Sequence, residues 1–329
     1  MNAALKALLH VVQDDNAKTL FLNAQYYDGL SQNVTLQQFF KPYVDVLEAN
    51  GLVVQPELPE DEVYERIWIL LPKNAVEAPY LVARAVSCLA PDGTVYCAAE
   101  NKAGGKRINQ WMQQCGFESV SCDARYKSKV CWGRSSVVPD QMVDQFIERG
   151  RVQTIFDSEF FSQPGVFGWN KKDSGSQILL QHLPDNLSGV GADFGCGYGY
   201  LSHHVLDLYQ GVKCLWCADA DYRAVQLCAK NVANFESVEF LWCDLTVQQT
   251  DLQNLDFIIM NPPFHEGRRV DVSLGIDFIK TAHRSLKKGG ELWMVANDHL
   301  PYECVLEGLF AHCKKIAKQN GFKIFKAEK

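Results

Sequence analysis

Asn261-Pro262-Pro263-Phe264 is the stretch whose residue types point most directly to a reaction. An aromatic or amide NH2 is a poor nucleophile, because its lone pair is delocalised into the ring or the carbonyl. The side-chain carbonyl of Asn261 and the backbone carbonyl that follows can each accept one N–H from such a group. That turns the nitrogen lone pair toward an electrophile and stabilises the positive charge that develops as it reacts. The two prolines fix the backbone so that the acceptors converge, and they remove competing N–H donors. Phe264 offers a face on which a planar base or amide can stack. The bland alternative is a Pro-rich turn after a strand, and the upstream sequence weighs against it.

Upstream stands Asp193-Phe194-Gly195-Cys196-Gly197-Tyr198-Gly199. Glycine spacing alone says little, since nicotinamide-binding folds use GxGxxG. Here an acid precedes the loop, which suits a positively charged ligand end with no phosphate to cradle. The methionine moiety of S-adenosylmethionine is such an end, and the glycines let backbone approach it closely. Asp219, with Ala220 beside it, closes the next strand and is spaced to accept from ribose hydroxyls. Asp244, followed by Leu245, closes a third strand and is placed to accept from an adenine amino group. Each acid alone would be an ordinary strand-end residue; three at successive strand ends, in this order, form a cofactor cleft. The expected cofactor residues are therefore Asp193, Gly195, Cys196, Gly197, Gly199, Asp219, Ala220, Asp244, Leu245 and Asn261. Phe264, His265, Phe167 and Ser176 are the expected substrate contacts. His265 and Glu266 also resemble an acid/base pair, but transfer from a sulfonium to an amine needs little proton help before the methyl moves. His203 and His204 open a helix and read as packing or exposed residues. Cys214 and Cys217 form a lone CxxC inside a strand-like run, which favours core packing over metal, and no metal site is expected.

These residues need a scaffold that brings strand ends together. Val190–Phe194, Val212–Asp219, VEFLWCD, LDFIIM and ELWMVAN alternate with helical stretches, the last being SLGIDFIKTAHRSLKK, which closes at Gly289-Gly290. The alternation predicts a parallel, doubly wound α/β sheet with polar residues at its carboxyl edge. A C-terminal antiparallel hairpin turns at Asn320-Gly321. The N-terminal half repeats the plan in degenerate form. Arg66–Lys73, a helix at EAPYLVARAVSCLA, Pro91-Asp92-Gly93 and TVYCAAEN echo the order around LDFIIMNPPF, and QWMQQCGF leads into two strands ending at Trp132. No GxGxG occurs there. The expectation is two tandem class I methyltransferase domains, a degenerate one over 1–138 and a catalytic one over 139–329, arising by duplication.

The chain's 329 residues, 47% hydrophobic and 22% charged, suit two soluble domains. No run of eighteen apolar residues occurs, and the N-terminus reads as an amphipathic helix with Leu5, Leu8, Leu9 and Val12 on one face, not as a signal peptide. Twelve scattered cysteines, among them Cys88, Cys97, Cys115, Cys131, Cys228 and Cys304, predict reduced thiols in a cytoplasmic protein. The net charge of −7 argues against nonspecific nucleic-acid coating. Two local basic patches remain, one at Arg125–Lys129 with Arg134 and one at Lys314, Lys315, Lys318, Lys323, Lys326 and Lys329.

FFSQPGVFG (160–168), Asp173-Ser174-Gly175-Ser176, DFGCGYGYLS and NPPFHEG together resemble the ribosomal RNA small subunit methyltransferase C family. The resemblance covers most of the chain and is strongest from Phe160 to Asn297. It implies N2-methylation of a guanosine in 16S rRNA with S-adenosylmethionine as methyl donor, on the small ribosomal subunit; separately, a monomer without membrane partners is expected. It carries Asp193, Gly195, Gly197 and Gly199 onto the cofactor loop, Asp219 onto the ribose, Asp244 onto the adenine and Asn261 to Phe264 onto the catalytic motif. Asp173 to Ser176 match a segment that lines the cofactor cleft. Phe194 replaces the commoner small aliphatic after the acid, and the chain ends soon after the hairpin. The same chemistry suits a 23S rRNA guanine-N2, adenine-N6 or glutamine-N5 enzyme; the tandem plan, without a DNA-reading module, favours rRNA. A noncatalytic RNA-binding role fits the N-terminal half alone.

Overall fold

The computed structural model describes residues 1–12, 16–59, 62–134, 141–247, 251–263, 265–266, 269–270 and 272–329. They form two compact units, 1–153 with 163–165, and 154–162 with 166–329.

The first unit runs α1 (Ala3–Leu9), β1 (Thr19–Leu22), β2 (Thr35–Gln37), α2 (Lys41–Ala49), β3 (Val54–Gln55), β4 (Tyr64–Leu70), α3 (Glu77–Ser87), β5 (Leu89–Glu100), α4 (Ile108–Gln114), β6 (Ser121–Arg125), β7 (Ser128–Arg134) and α5 (Gln141–Gly150). Its seven strands lie in the order β3-β2-β1-β4-β5-β7-β6, parallel except for the β6–β7 end. Val143 and Phe146 of α5 enter this unit's core, and a Cβ on Gly150 would collide with the Tyr80 ring. Sequence alone placed this helix after the domain boundary; its apolar face belongs to the first core.

The second unit runs β8 (Gln153–Ile155), β9 (Phe160–Ser162), α6 (Ser174–Leu180), β10 (Gly189–Phe194), α7 (Tyr200–Leu208), β11 (Val212–Asp219), α8 (Tyr222–Asn231), β12 (Val238–Trp242), β13 (Leu255–Met260), β14 (His265–Glu266), β15 (Arg269–Val270), α9 (Val272–Ser285), β16 (Leu286–Asn297), α10 (Glu303–Leu309), β17 (His312–Gln319) and β18 (Phe322–Glu328). The order β12-β11-β10-β13-β16-β18-β17 repeats that of the first sheet strand for strand. β10 and β13 are buried almost throughout, as expected of central parallel strands covered on both faces. One core packs on each face of this sheet. The hairpin turns at Asn320 and Gly321, both with positive φ as a type I′ turn requires. α9 stops at Ser285, earlier than the sequence pattern suggested, because Leu286 already pairs with Leu255 and the chain bulges before Glu291 meets Phe257.

The first sheet carries the same bulge at the same place: Tyr64 pairs with Leu89 and Arg66 with Thr94. Superposing the registers puts Phe21 where Asp193 stands, Asn23, Gln25 and Tyr27 at the three loop glycines, and Leu70 at Asn261. No helix follows β1. Three buried amides tie these strand ends instead. Asn23 Nδ2 donates to the Leu70 carbonyl at 2.9 Å, Gln37 Nε2 to Pro56 at 2.9 Å and Gln38 Nε2 to Ala24 at 2.8 Å.

Two expectations about side chains change. Cys122 and Cys131 face each other across the β6–β7 hairpin and form a disulfide, so the thiols are not all free; Cys304 is exposed, not core. Three of the six C-terminal lysines are paired with acids. Lys318 pairs with Asp298, Lys323 with Glu303 and Lys326 with Glu291, while Lys329 donates to the Arg284 and Leu286 carbonyls. Among the described residues, no helix is long and apolar enough to cross a membrane.

Candidate active site

The site assembles where β10, β11 and β13 end. Asp193 is fully buried on β10, and its Oδ2 accepts from Ser202 Oγ at 2.6 Å, one turn into α7. Among the described residues its Oδ1 has no hydrogen-bond partner, although buried polar atoms are almost always satisfied. Burial pushes the Asp193 carboxyl up to about 7; the Asp219 charge adds to this and the Ser202 bond opposes it. Asp219 is likewise raised by burial, to about 6, against backbone N–H donation from Asp221 and Gly197. Those bonds are 2.9 Å each, one to each carboxylate oxygen, so Asp219 fixes the middle of the glycine loop. Gly195, Gly197 and Gly199 all have positive φ. At Gly199 a Cβ would lie 2.8 Å from Cys228 Sγ and 3.1 Å from its Cα, whereas at Gly197 it would meet nothing within 4 Å. The first glycine of that pair lets the loop press on α8, and the second leaves space above it.

The other sequence-predicted residues fall around this loop. The Ala220 carbonyl accepts from Trp242 Nε1 at 2.9 Å. Asp244 Oδ1 accepts from Thr246 N and Oγ1 at 2.8 and 2.6 Å, and Leu245 is buried beneath. Cys196 is buried in the core under the loop. Ser176 is buried at the start of α6, and Phe167 is 62% exposed. Asn261 directly follows β13. Its Nδ2 donates to Asp173 Oδ2 at 2.7 Å and to Ser176 Oγ at 3.0 Å. Pro262 is buried and Pro263 exposed. Phe264 lies outside the described residues, and His265 lies in β14, paired with β15.

His203 and His204 pack against Phe160, with His203 also against Phe235 and His204 against Tyr200. Cys214 and Cys217 sit on β11, Cys217 in the core, and no metal-binding cluster occurs among the described residues.

Three contributors escaped the sequence reading. Ser202 holds the buried acid. Asn231 on α8 latches β9 to the loop: its Oδ1 accepts from Phe161 N at 2.7 Å, and its Nδ2 donates to the Phe161 and Tyr198 carbonyls at 2.8 and 2.7 Å. Trp242 closes over Ala220. A serine three residues past the last loop glycine was the one visible signal; the other two depend on contacts between distant segments.

Residues 157–326 match the family model described as Methyltransferase small domain, and residues 7–149 match Methyltransferase small domain N-terminal. The chain is 30% identical over 97% of its length to ribosomal RNA small subunit methyltransferase C of Shewanella pealeana, covering 92% of that protein. It is 29% identical over 93% of its length to the protein of that name from Aliivibrio salmonicida, covering 86% of it. The fold also matches a T. thermophilus 16S rRNA N2 methyltransferase of guanosine 1207, solved with AdoMet and guanosine. The TM-score is 0.84 at 23% identity, over 100% of this chain and 92% of that one.

Proposed function

Because the chain belongs to the ribosomal RNA small subunit methyltransferase C family, we propose that it methylates the exocyclic N2 amine of a guanosine in 16S rRNA, using S-adenosylmethionine. The counterpart of guanosine 1207 is the target to examine first. The observation that carries this is a register. Phe194 pairs with Met260, so Gly195 and Asn261 leave adjacent parallel strands side by side. A methyl donor on the glycine loop and an amine on Asn261 would therefore meet.

The residues fit that donor. The unpartnered, buried Asp193 Oδ1 suits a cationic ligand end, and the open space over Gly197 admits it. Each Asp219 oxygen keeps a lone pair for a ribose hydroxyl beyond its backbone bond. Asp244 uses Oδ1 on its own turn and keeps Oδ2 for an adenine amino group. S-adenosylmethionine, when bound, supplies an electrophilic methyl on sulfur. Asn261 Oδ1 and the Pro262 carbonyl each accept one N–H of the target amine and aim its lone pair at that methyl. As the N–C bond forms and the methyl–sulfur bond breaks to leave a neutral thioether, the same two carbonyls would stabilise the positive charge on nitrogen until a proton leaves to water. Phe264 and the exposed Phe167 stack the guanine, which must be unstacked from its helix to reach the site.

The first unit, with Phe21 in the acid's place and its strand ends tied by amides, binds RNA and supports folding without a cofactor of its own. Exposed Lys106, Arg107 and Lys127 add positive charge to its surface. The enzyme acts as a cytoplasmic monomer on the small subunit. Asn261→Ala tests the central assignment: turnover should fall roughly 100- to 1,000-fold with cofactor affinity retained. Lost cofactor affinity with normal turnover at saturation would refute the acceptor role.

A further inference from the structure

An asparagine can present its carbonyl or its NH2 to a substrate, and the two orientations are nearly isosteric. Only the first accepts from a target amine. The choice is made by what holds the other end of the amide. Both hydrogens of Asn261 Nδ2 are engaged, by Asp173 Oδ2 at 2.7 Å and by Ser176 Oγ at 3.0 Å. A carboxylate can only accept, so it fixes which amide atom faces it. A flipped amide would set Oδ1 against that carboxylate and turn two donors toward an amine that needs acceptors. Among the described residues no group donates to Asn261 Oδ1.

The carboxylate is itself held in place. Asp173 Oδ2 also accepts from Ser176 N at 2.8 Å as the N-cap of α6, so one oxygen joins the helix start to the acceptor. Gly175 lies between the two holding residues, and a Cβ there would come within 3.0 Å of Phe322 Cε1 and 3.1 Å of Asp173 Oδ2. The Asp173-x-Gly-Ser sequence thus supplies a cap, a clearance and a second acceptor in four residues.

We propose that Asp173, assisted by Ser176, is a positioning residue that locks Asn261 in the one amide orientation able to receive the target amine. The proposal rests on Asn261 being the acceptor. Its test separates the two through a double-mutant cycle, measured by single-turnover methyl transfer from labelled S-adenosylmethionine to 16S rRNA, with cofactor affinity titrated in parallel. Asp173→Ser keeps a good helix cap but is too short to reach Asn261. Its rate should fall roughly 10- to 100-fold, as for loss of a charge-assisted hydrogen bond, with cofactor affinity unchanged. Asp173→Asn, whose carbonyl can still accept both bonds, should restore most of the rate. In an Asn261→Ala background, Asp173→Ser should cost nothing further, because nothing remains to be oriented. Ser176→Ala, alone and in the same background, repeats the cycle without touching the cap and decides the matter if Asp173→Ser fails to fold. An unchanged rate in Asp173→Ser, or a full additional loss on top of Asn261→Ala, overturns the positioning role. An unchanged rate in Asn261→Ala itself overturns the acceptor reading beneath it.

Discussion

Burial raises the Asp193 carboxyl to about 7, so cofactor binding should depend on pH if Asp193 faces the cationic end of the ligand. Its ordinary value is 3.8, so between about 4 and 7 the free folded protein holds a proton that the unfolded chain has released. That contribution to stability is fully present below 3.8 and is lost as pH rises through about 7. A rise of about 3 units corresponds to about 4 kcal/mol, most of it the cost of an unsolvated charge. A cationic ligand end facing Oδ1 would offset this cost, so the ionised form should bind and the protonated form should not. Between pH 8 and pH 6 the ionised fraction falls from about nine-tenths to about one-tenth, which predicts roughly tenfold weaker S-adenosylmethionine binding at pH 6. Calorimetry in two buffers of different ionisation enthalpy should show close to one proton released per ligand bound near pH 6. Asp193→Asn should remove most of the proton release, leaving the share of Asp219, which is itself raised to about 6, and should weaken binding while raising the melting temperature of the free protein at pH 8. Affinity that stays flat from pH 6 to 8, or Asp193→Asn that binds normally, would refute the assignment of Asp193 to the cationic end.

Two further substitutions probe the loop and the stacking face. Gly199→Ala forces a side chain into positive φ and against Cys228, so stability should drop by about 1–3 kcal/mol, with the loss in cofactor affinity exceeding any loss in the melting transition of the first unit. Denaturant unfolding beside ligand titration would measure both. Phe264→Ala should retain the fold and cofactor affinity yet lower kcat/KM on RNA by roughly 5- to 100-fold, the worth of one base–aromatic stack; undiminished turnover would remove Phe264 from the substrate site.

Much of this molecule was legible before its structure. Alternating elements in the second half, each strand ending in a polar residue, place Asp193, Asp219, Asp244 and Asn261 along one sheet edge by topology alone. The hairpin followed from Asn320-Gly321, because few dipeptides tolerate two positive φ values. Strands β1 to β3 of the first unit were not legible. Without a glycine loop or an intervening helix, Thr19–Leu22 is a short apolar run and Thr35–Gln37 a three-residue stretch with a single apolar residue, and nothing marks either as a strand. The disulfide depends on the β6–β7 register, which fixes Cys122 opposite Cys131 and which spacing alone does not give. The bond from Asn261 to Asp173 spans 88 positions, and that from Asn231 to Phe161 spans 70. Contacts of that range are created by the fold, and so the supports of the site appear only once the strand ends meet.

The central claim is the identity of the methylated atom. Purified 16S and 23S rRNA, and isolated small subunits, should be incubated with the enzyme and isotope-labelled S-adenosylmethionine, digested to nucleosides and analysed by mass spectrometry. Label in N2-methylguanosine from 16S rRNA alone is the predicted result, with none in the Asn261→Ala control. Label in 23S rRNA, in N6-methyladenosine or in protein would contradict it.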